Sequence, residues 1–366
     1  MNNLYQLIKK ITVYIIFIIV VIYGLVKSQQ FLIPLALAVL FTYLLFPIAN
    51  FLEKRKIPRI ISNLVAILIG LGIVTGSIAF ISNQLAILAS DMPQVREQAV
   101  TNIDKVRNWI SASFGVSRER LDTGLSDLFL SLMENSGQMF TTLFMATTST
   151  LVNVALMPVF VFFMLYYRTK FHDFVIKMVP NGKNKDAEKV LDEVNSVTVK
   201  YMTGVFIVVI ILSITHSISF TIIGVEHAIL LGVIAAIFNF IPYFGTLIGA
   251  IFPLFYTFFV MDSLSYMLWV VIYFLIIQFV ENNILTPNIT GGQVRLNPLI
   301  TILSLIFGSM IWGPAGMFLI VPYIAMLRIT CEHINYLQPV AFLLSDRGTE
   351  KYAITIEKIK NLFSKK

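Results

Sequence analysis

The feature that most constrains this chain is a series of long apolar runs. A helix that crosses a bilayer needs about 20 consecutive, mostly apolar residues, and eight runs of roughly this kind are present. They lie at 11–26, 31–52, 61–89, 138–167, 201–223, 228–261, 264–281 and 299–327. Residues are 57% hydrophobic and 13% charged, whereas a soluble domain carries about 25% charge. The sequence therefore predicts an all-α, polytopic integral membrane protein whose surface contacts membrane lipid.

The basic residues indicate how the runs are oriented. Lys and Arg cluster before the first run, in the loop 53–59, in 168–200 and in the tail 328–366, whereas 90–137 holds five positive and seven negative residues. Cytoplasmic loops are rich in Lys and Arg, so we expect both termini to be cytoplasmic and 90–137 to lie outside. The net charge of +7 is explained by these flanks. No basic face typical of a nucleic-acid-binding protein is present, and we expect no nucleic-acid partner.

The apolar and polar runs divide the chain into four predicted regions. Residues 1–89 form three transmembrane helices with a basic cytoplasmic loop, 90–137 an extracytoplasmic helical insertion, 138–327 a transport core, and 328–366 a cytoplasmic tail. In the insertion an apolar stripe with helical spacing predicts a helical hairpin that turns at Phe114-Gly115. The stripe comprises Val95, Ala99, Ile103, Val106 and Ile110. In the core, charged and apolar residues separate onto two faces over 183–200, which predicts an amphipathic cytoplasmic helix after a turn at Pro180-Asn181-Gly182.

Two of the apolar runs are interrupted in their middle. The run 228–261 would be about 50 Å long as one helix, too long for a hydrocarbon core of about 30 Å, and it contains Asn239, Pro242 and Gly245. The run 299–327 contains Gly313 and Pro314. Proline removes a backbone donor and glycine favours non-helical angles. Each run is thus a pair of half-helices or a kinked helix. Paired interruptions are typical of transporter binding sites, although a tolerated kink is the alternative.

Four polar side chains, including that of Asn283, end the seventh run. Gln278, Glu281 and Asn282 share a helix face by their spacing of three and four. A carboxylate beside amides at the end of a span can bind a cation or relay a proton, or it can simply form a solvated helix end. The one ionisable residue well inside a run is His216, which we interpret as a hydrogen-bonded packing residue. No ATP-binding loop, hydrolase motif or metal-ligand cluster is apparent, so we expect no enzyme, no cofactor and no metal.

The order of the motifs resembles the autoinducer-2 exporter family of bacterial membrane proteins. The resemblance rests on FLIPLALAVLFTYLLFPIANFLEKRKIPR, on GVEHAILLGVIAAIFNFIPYFGTLIGAIFP, and on the segment from QFVENNILTPNITGG to IWGPAGMFLIVP. It implies about eight helical spans with a central extramembrane insertion, a bacterial cytoplasmic (inner) membrane location, and efflux of small solutes without an ATPase partner. Some members of the family resemble sodium/proton antiporters.

Three functions remain open from the sequence. The chain is predicted to be a secondary exporter of a small polar solute such as a quorum signal, or a cation/proton antiporter that uses Glu281, or a membrane scaffold without transport. The predicted substrate or ion path is formed by Asn239, Pro242, Gly245, Gln278, Glu281, Asn282, Gly313 and Pro314. Loop 282–298 is external if both interrupted runs cross the membrane and cytoplasmic if both are re-entrant; the length of 228–261 favours re-entrance. Glycines in the third run predict packing against neighbouring helices, and hence a homo-oligomer.

Overall fold

The computed structural model describes residues 2–114, 156–180, 184–242, 244–290 and 295–348. Nearly all of them are helical, and within these ranges the β structure is one isolated antiparallel bridge between Leu296 and Ser345. The all-α prediction is thereby confirmed. Other predictions lie outside the described residues in whole or in part. These concern the second half of the insertion, the first part of the run 138–167, the turn at 180–182, the loop around 291–294 and the end of the tail.

Twelve helices follow one another in the described part of the chain. They are α1 (Asn2–Lys27), α2 (Gln29–Lys54), α3 (Arg59–Phe114), α4 (Leu156–Tyr166), α5 (Arg168–Met178), α6 (Asn184–Ile223), α7 (Ala228–Phe238), α8 (Gly245–Val260), α9 (Leu264–Val280), α10 (Thr286–Thr290), α11 (Pro298–Glu332) and α12 (Gln338–Leu344). A π-helical turn, Glu281–Leu285, joins α9 to α10. By length and composition, six segments among the described residues could cross a membrane: α1, α2, α3, α6, the stretch Leu264–Ile289, and α11 when its two arms are counted as one helix. The chain is thus a polytopic membrane protein.

The chain forms two compact units. We call residues 1–29, 169–201 and 292–366 the terminal unit, and residues 30–168 and 202–291 the central unit. In the central unit, buried side chains from α3, α6, α7, α8 and α9 form the main apolar core, which includes Leu212, Phe220, Leu230 and Val270. A second cluster joins α2, α3 and α4 through Ala38, Ala49, Ala66 and Leu165. The small alanine side chains let these helices approach closely.

Two helices are longer than a membrane is thick. Helix α3 has 56 residues, about 84 Å, and it continues without a break from the third apolar run into the predicted insertion. Its residues Val95, Ala99 and Ile103 are buried, as their helical spacing predicts. Helix α6 has 40 residues and joins the predicted amphipathic helix directly to the fifth apolar run. Both helices must therefore extend beyond the hydrocarbon core.

The run 228–261 is broken into two arms that fold back on each other. We call α7, α8 and the connection 239–244 the first hairpin. The ring centroids of Phe238 and Phe252 lie 5.5 Å apart and the rings are stacked. A Cβ atom at Gly249 would lie 2.5 Å from the carbonyl oxygen of Ala235, so the arms are in backbone contact. The predicted interruption at Asn239, Pro242 and Gly245 is confirmed as a reversal of the chain direction.

The run 299–327 is broken in the same way. Within α11, Trp312 (φ −132°, ψ 19°) and Gly313 (φ 60°, ψ −143°) leave the helical conformation. A Cβ atom at Gly308 would lie 2.6 Å from the carbonyl oxygen of Gly316, although eight residues of straight helix would separate them by about 12 Å. The two arms, 298–311 and 314–332, thus form a second hairpin, and the positive φ at its tip requires a glycine.

Large apolar side chains cover much of the outer surface. In α1 the residues Ile15, Phe17 and Ile18 are each more than half exposed, and no residue in the apolar part of this helix is buried. A soluble protein rarely exposes a contiguous apolar surface of this size. Such a surface is stable when hydrocarbon rather than water surrounds it.

Candidate functional site

A carboxylate and an amide meet where the first hairpin reverses. Asn239 follows the last residue of α7, and Glu281 follows the last residue of α9. The Asn239 Nδ2 group donates a hydrogen bond of 2.6 Å to Glu281 Oε1, across 42 residues of sequence. Thr246 lies in the first turn of α8 and donates through Oγ1 to Asn239 Oδ1 at 3.5 Å. The hairpin tip and the end of α9 thus form one polar cluster inside an apolar core.

The Glu281 carboxylate is buried and only half satisfied. The residue is 7% exposed, and its Oε2 atom makes no hydrogen bond within the described residues. No Lys, Arg or His in those ranges forms an ion pair with it. A buried carboxylate is costly unless it is paired. The unpartnered oxygen is therefore the position where a proton, a cation or a donor group of a solute would be stabilised.

A π-helical turn begins at Glu281. The turn Glu281–Leu285 inserts one wide turn between α9 and α10, and the Thr286 N–H donates to the Glu281 carbonyl five residues earlier. Single π-turns inside helices are frequent at functional sites. Because the turn changes the register of the helix, residues on its two sides no longer follow the usual spacing of three and four.

The predicted site residues separate into three groups. Asn239 and Glu281 are in direct contact. Pro242 and Gly245 shape the tip that holds Asn239. The Phe244 N–H donates to the Pro242 carbonyl at 2.8 Å, and Gly245 is buried against Phe238 and Asn239. Gln278 is half-buried and Asn282 is exposed, and neither shares a hydrogen bond with the pair within the described residues. Gly313 and Pro314 belong to the terminal unit, where the neighbouring Trp312 Nε1 donates to the Leu25 carbonyl at 3.0 Å.

Two further polar residues of the central unit are His216, which the sequence analysis singled out, and Thr246, which it did not. His216 is 1% exposed and its Nδ1 lies 2.6 Å from the hydroxyl of Tyr273, which agrees with a hydrogen-bonded packing role. Thr246 gave no signal because a single threonine in an apolar run has no pattern. Within the described residues, His, Cys, Asp and Glu side chains form no group of three that could hold a metal ion. The cluster at the tip is suited to binding and release by hydrogen bonds rather than to covalent chemistry.

Comparison with known proteins identifies a family of transporters. The profile of the family described as AI-2E family transporter matches residues 11–336. The chain is 28% identical to YrrI of Bacillus subtilis (strain 168), over 88% of this chain and 92% of the relative. It is 24% identical to the AI-2 transport protein TqsA of Escherichia coli (strain K12), over 93% of this chain and 97% of the relative. The family consists of transport proteins rather than enzymes.

Proposed function

The chain belongs to the AI-2E family of transporters, and from that premise we propose that it is a secondary exporter of a small polar solute in the bacterial cytoplasmic membrane. The observation that carries the proposal is the buried pair formed by Glu281 and Asn239, in which one carboxylate oxygen has no partner among the described residues. The name of the Escherichia coli relative makes AI-2 the first solute to test.

The energetics of the broken helix support a polar path through the central unit. A helix that is interrupted at membrane depth frees backbone N–H and C=O groups, which are costly unless protein, water or a ligand satisfies them. The N-terminus of α8 begins at Gly245 and carries a partial positive charge. A small polar solute can bind between this terminus and Glu281 without another buried full charge. Pro242 and Gly245 would shape this path, and the predicted contributions of Gln278, Asn282, Gly313 and Pro314 remain part of the hypothesis.

The folded-back hairpin favours one topology. If α6 leads outward from a cytoplasmic amphipathic segment, the first hairpin returns the chain to the outer side, and α9 then leads inward to Glu281. Loop 282–298 and both termini are then cytoplasmic, in agreement with the distribution of Lys and Arg. Cysteines introduced at Gly291 and near residue 105 are tested for labelling from the cytoplasmic side and from the outer side of the membrane. Labelling of both positions from the same side would contradict this topology.

Cation/proton antiport is the second candidate, and it is favoured because Glu281 has no counterion in the described part of the chain. A carboxyl group that alternates between a proton and a cation needs no fixed positive neighbour. Under this hypothesis Glu281→Gln abolishes exchange, because the amide carries no titratable proton and no charge. An uncoupled solute exporter with the same substitution keeps most of its flux, because the amide still offers a hydrogen-bonding oxygen to Asn239.

Flux measurements in proteoliposomes decide between the candidates. The purified chain is assayed with AI-2, with sodium and with a proton-sensitive dye, using wild type, Glu281→Gln and the control Asp262→Asn, which changes an exposed carboxylate. Solute flux supports the exporter, and its loss in Glu281→Gln alone shows that transport is coupled through that carboxyl group. Sodium-dependent proton movement without solute flux supports the antiporter. No flux of any of them contradicts both and favours the scaffold hypothesis.

A further inference from the structure

Charged side chains mark the place where helix α5 begins. Arg168, in the first turn of α5, donates through Nη1 at 2.9 Å to Oε1 of Glu53, which lies in the last turn of α2. Arg59, the first residue of α3, donates through Nη1 at 3.2 Å to the carbonyl of Tyr166, the last residue of α4. Charged side chains are costly inside a bilayer. The ends of α2 and α4 and the start of α3, all in the central unit, therefore lie at one surface of the membrane.

Helix α5 is too short and too polar to cross the membrane. Its 11 residues, Arg168–Met178, span about 17 Å, whereas the hydrocarbon core is about 30 Å thick. Five of them are ionisable. A single residue, Tyr167, separates α5 from α4, and tyrosine is enriched where membrane and water meet. Helix α5 therefore begins at the membrane surface and stays outside the hydrocarbon core.

One face of α5 is a continuous apolar stripe. Phe171, Phe174, Val175 and Met178 follow the spacing i, i+3, i+4, i+7, which places them on one side of a helix. Their exposed fractions are 55, 59, 38 and 70%, and none of the residues of α5, all of which the structure describes, is buried. We call these four residues the α5 stripe. A contiguous apolar surface of this kind marks a site of interaction with a protein or a membrane.

The charges of α5 are arranged around the stripe. At about 100° per residue, Lys170 and Lys177 lie beside one edge of the stripe. Asp173, the only carboxylate of α5, lies on the opposite face. Basic residues beside an apolar face are typical of helices that lie in a membrane interface and attract anionic headgroups. The stripe and its lysine edge thus match the surface of an anionic bilayer.

A second copy of the chain and the tail of the same chain match the stripe less well. A symmetric contact between two stripes brings together the same residues of both copies, and the edge of the stripe holds lysines and no carboxylate. The tail 349–366 holds five lysines and two glutamates, so it is basic as well. Like charges repel in both contacts, whereas headgroup phosphates attract the lysines.

We propose that α5 docks by its stripe on the surface of the membrane, with Lys170 and Lys177 at the phosphates of anionic lipid headgroups. The apolar face of such a helix lies about 5–10 Å deep, at the boundary between headgroups and acyl chains. Arg168 binds Glu53 of α2, so the first turn of the docked helix is attached to a helix that crosses the membrane. The proposal depends neither on the solute nor on flux.

Fluorescent labels on the two faces of α5 test the proposal. In the full-length chain with Cys331→Ala, an environment-sensitive dye is attached to Met178→Cys in the stripe, or to Asp173→Cys on the opposite face as the matched control. The chain is reconstituted in vesicles of phosphatidylcholine and phosphatidylglycerol whose lipids carry a doxyl quencher either near the headgroup or at the end of the acyl chain. At 178 we expect a blue shift and stronger quenching by the shallow quencher than by the deep one, with smaller effects at 173.

Three outcomes of this measurement overturn the proposal. The first is emission at 178 that is the same as in water or the same as at 173. The second is a blue shift that lipid does not quench and that grows with the ratio of protein to lipid, which shows contact with a second copy. The third is a blue shift that is lost when the chain ends at residue 348, which shows contact with the tail.

Two substitutions separate the apolar contact from the charge contact. Phe174→Ser removes an exposed ring, so the packing of the fold is unchanged, and quenching at 178 is expected to fall. In this weakened helix, Lys177→Gln is expected to lower the ratio of docked to free helix about fivefold, the equivalent of about 1 kcal/mol for one lysine at an anionic surface. The exposed Lys185 of α6 gives the matched control Lys185→Gln, which should change nothing.

Vesicles of phosphatidylcholine alone complete the test. Without anionic headgroups, Lys177→Gln is expected to have no effect on quenching at 178. An equal effect in neutral and anionic vesicles overturns the headgroup contact, and unchanged quenching in Phe174→Ser overturns docking through the stripe. Quenching as expected in a chain that transports nothing supports the docking of α5 and overturns the proposed function alone.

Discussion

The two hairpins have the same shape and different chemistry. Each breaks an apolar run with glycine and proline, and each brings its arms into backbone contact. The tip of the first hairpin carries an amide that binds a buried carboxylate. The tip of the second hairpin carries Trp312, whose indole N–H donates to a main-chain carbonyl at the end of α1. Glycine and proline thus determine where a chain reverses, and the polar residue placed at the reversal determines what the tip can bind.

The bases of the two hairpins also differ. The first hairpin is held by side chains of α3, among them Asn102, which donates to the carbonyls of Phe259 and Met261 at 2.9 and 2.8 Å. The second is held by main-chain pairing of the segments 295–297 and 344–346, with N–H···O distances of 2.9 and 3.2 Å, and by Glu332, which binds Arg328 and Arg347 at 2.9 and 2.8 Å. The first hairpin is therefore attached through side chains of another helix, and the second through main-chain pairing and ion pairs close to its own end.

The largest expected effect is the loss of either hairpin when its arms are forced apart. In Gly316→Ala and Gly245→Ala the new Cβ atom would overlap the backbone of the opposite arm, since the nearest atoms belong to Gly308 and to Phe238 and Asn239. We expect a loss of about 3 kcal/mol in the free energy of unfolding, measured in detergent. The control Gly72→Ala, where no atom lies within 4 Å, should be as stable as wild type. Equal stability of all three would show that the arms are not in close contact.

An intermediate effect is expected at the first tip. Asn239→Ala removes the 2.6 Å hydrogen bond to Glu281 Oε1 and leaves the buried carboxylate with less support. We expect flux to fall about tenfold, the equivalent of about 1.4 kcal/mol for a hydrogen bond to a charged group. Asn283→Ala is the matched control, because this exposed amide bonds the Phe279 carbonyl of its own helix at 2.8 Å. A flux in Asn239→Ala close to wild type would remove the tip from the substrate path.

The smallest effect is expected at the second tip. Trp312→Phe keeps an aromatic ring and deletes the N–H that donates to Leu25. The expected loss is about 1 kcal/mol in the free energy of unfolding, with a smaller change in flux than in Asn239→Ala. A loss of flux as large as that of Asn239→Ala would place the second tip, with Gly313 and Pro314, in the substrate path and would erase the functional difference between the hairpins.

The lengths of the apolar runs and the positions of glycine and proline predicted most of this fold. The run 228–261 had to break because it exceeds the bilayer, and Asn239, Pro242 and Gly245 mark the place. The contact between Asn239 and Glu281 could not be predicted, since it joins residues 42 positions apart and depends on how α7, α8 and α9 pack. Gln278 and Asn282 were grouped with Glu281 by helical spacing, but Glu281 is buried, Gln278 is half-buried and Asn282 is exposed, and this difference depends on how α9 packs. The 3.4 Å approach of His227 Nε2 to Asp91 Oδ2 likewise depends on packing and has no local sequence pattern.

The arms of the first hairpin also constrain how the protein is made. They have 11 and 16 residues, about 17 and 24 Å, and neither is long enough to cross a hydrocarbon core of about 30 Å. Insertion machinery that releases apolar segments into lipid one at a time has no spanning segment to release here. The hairpin packs against α6 and α9 in one apolar core, and α9 is synthesised later. We therefore expect residues 228–260 to complete their integration into the membrane only after the ribosome has synthesised α9.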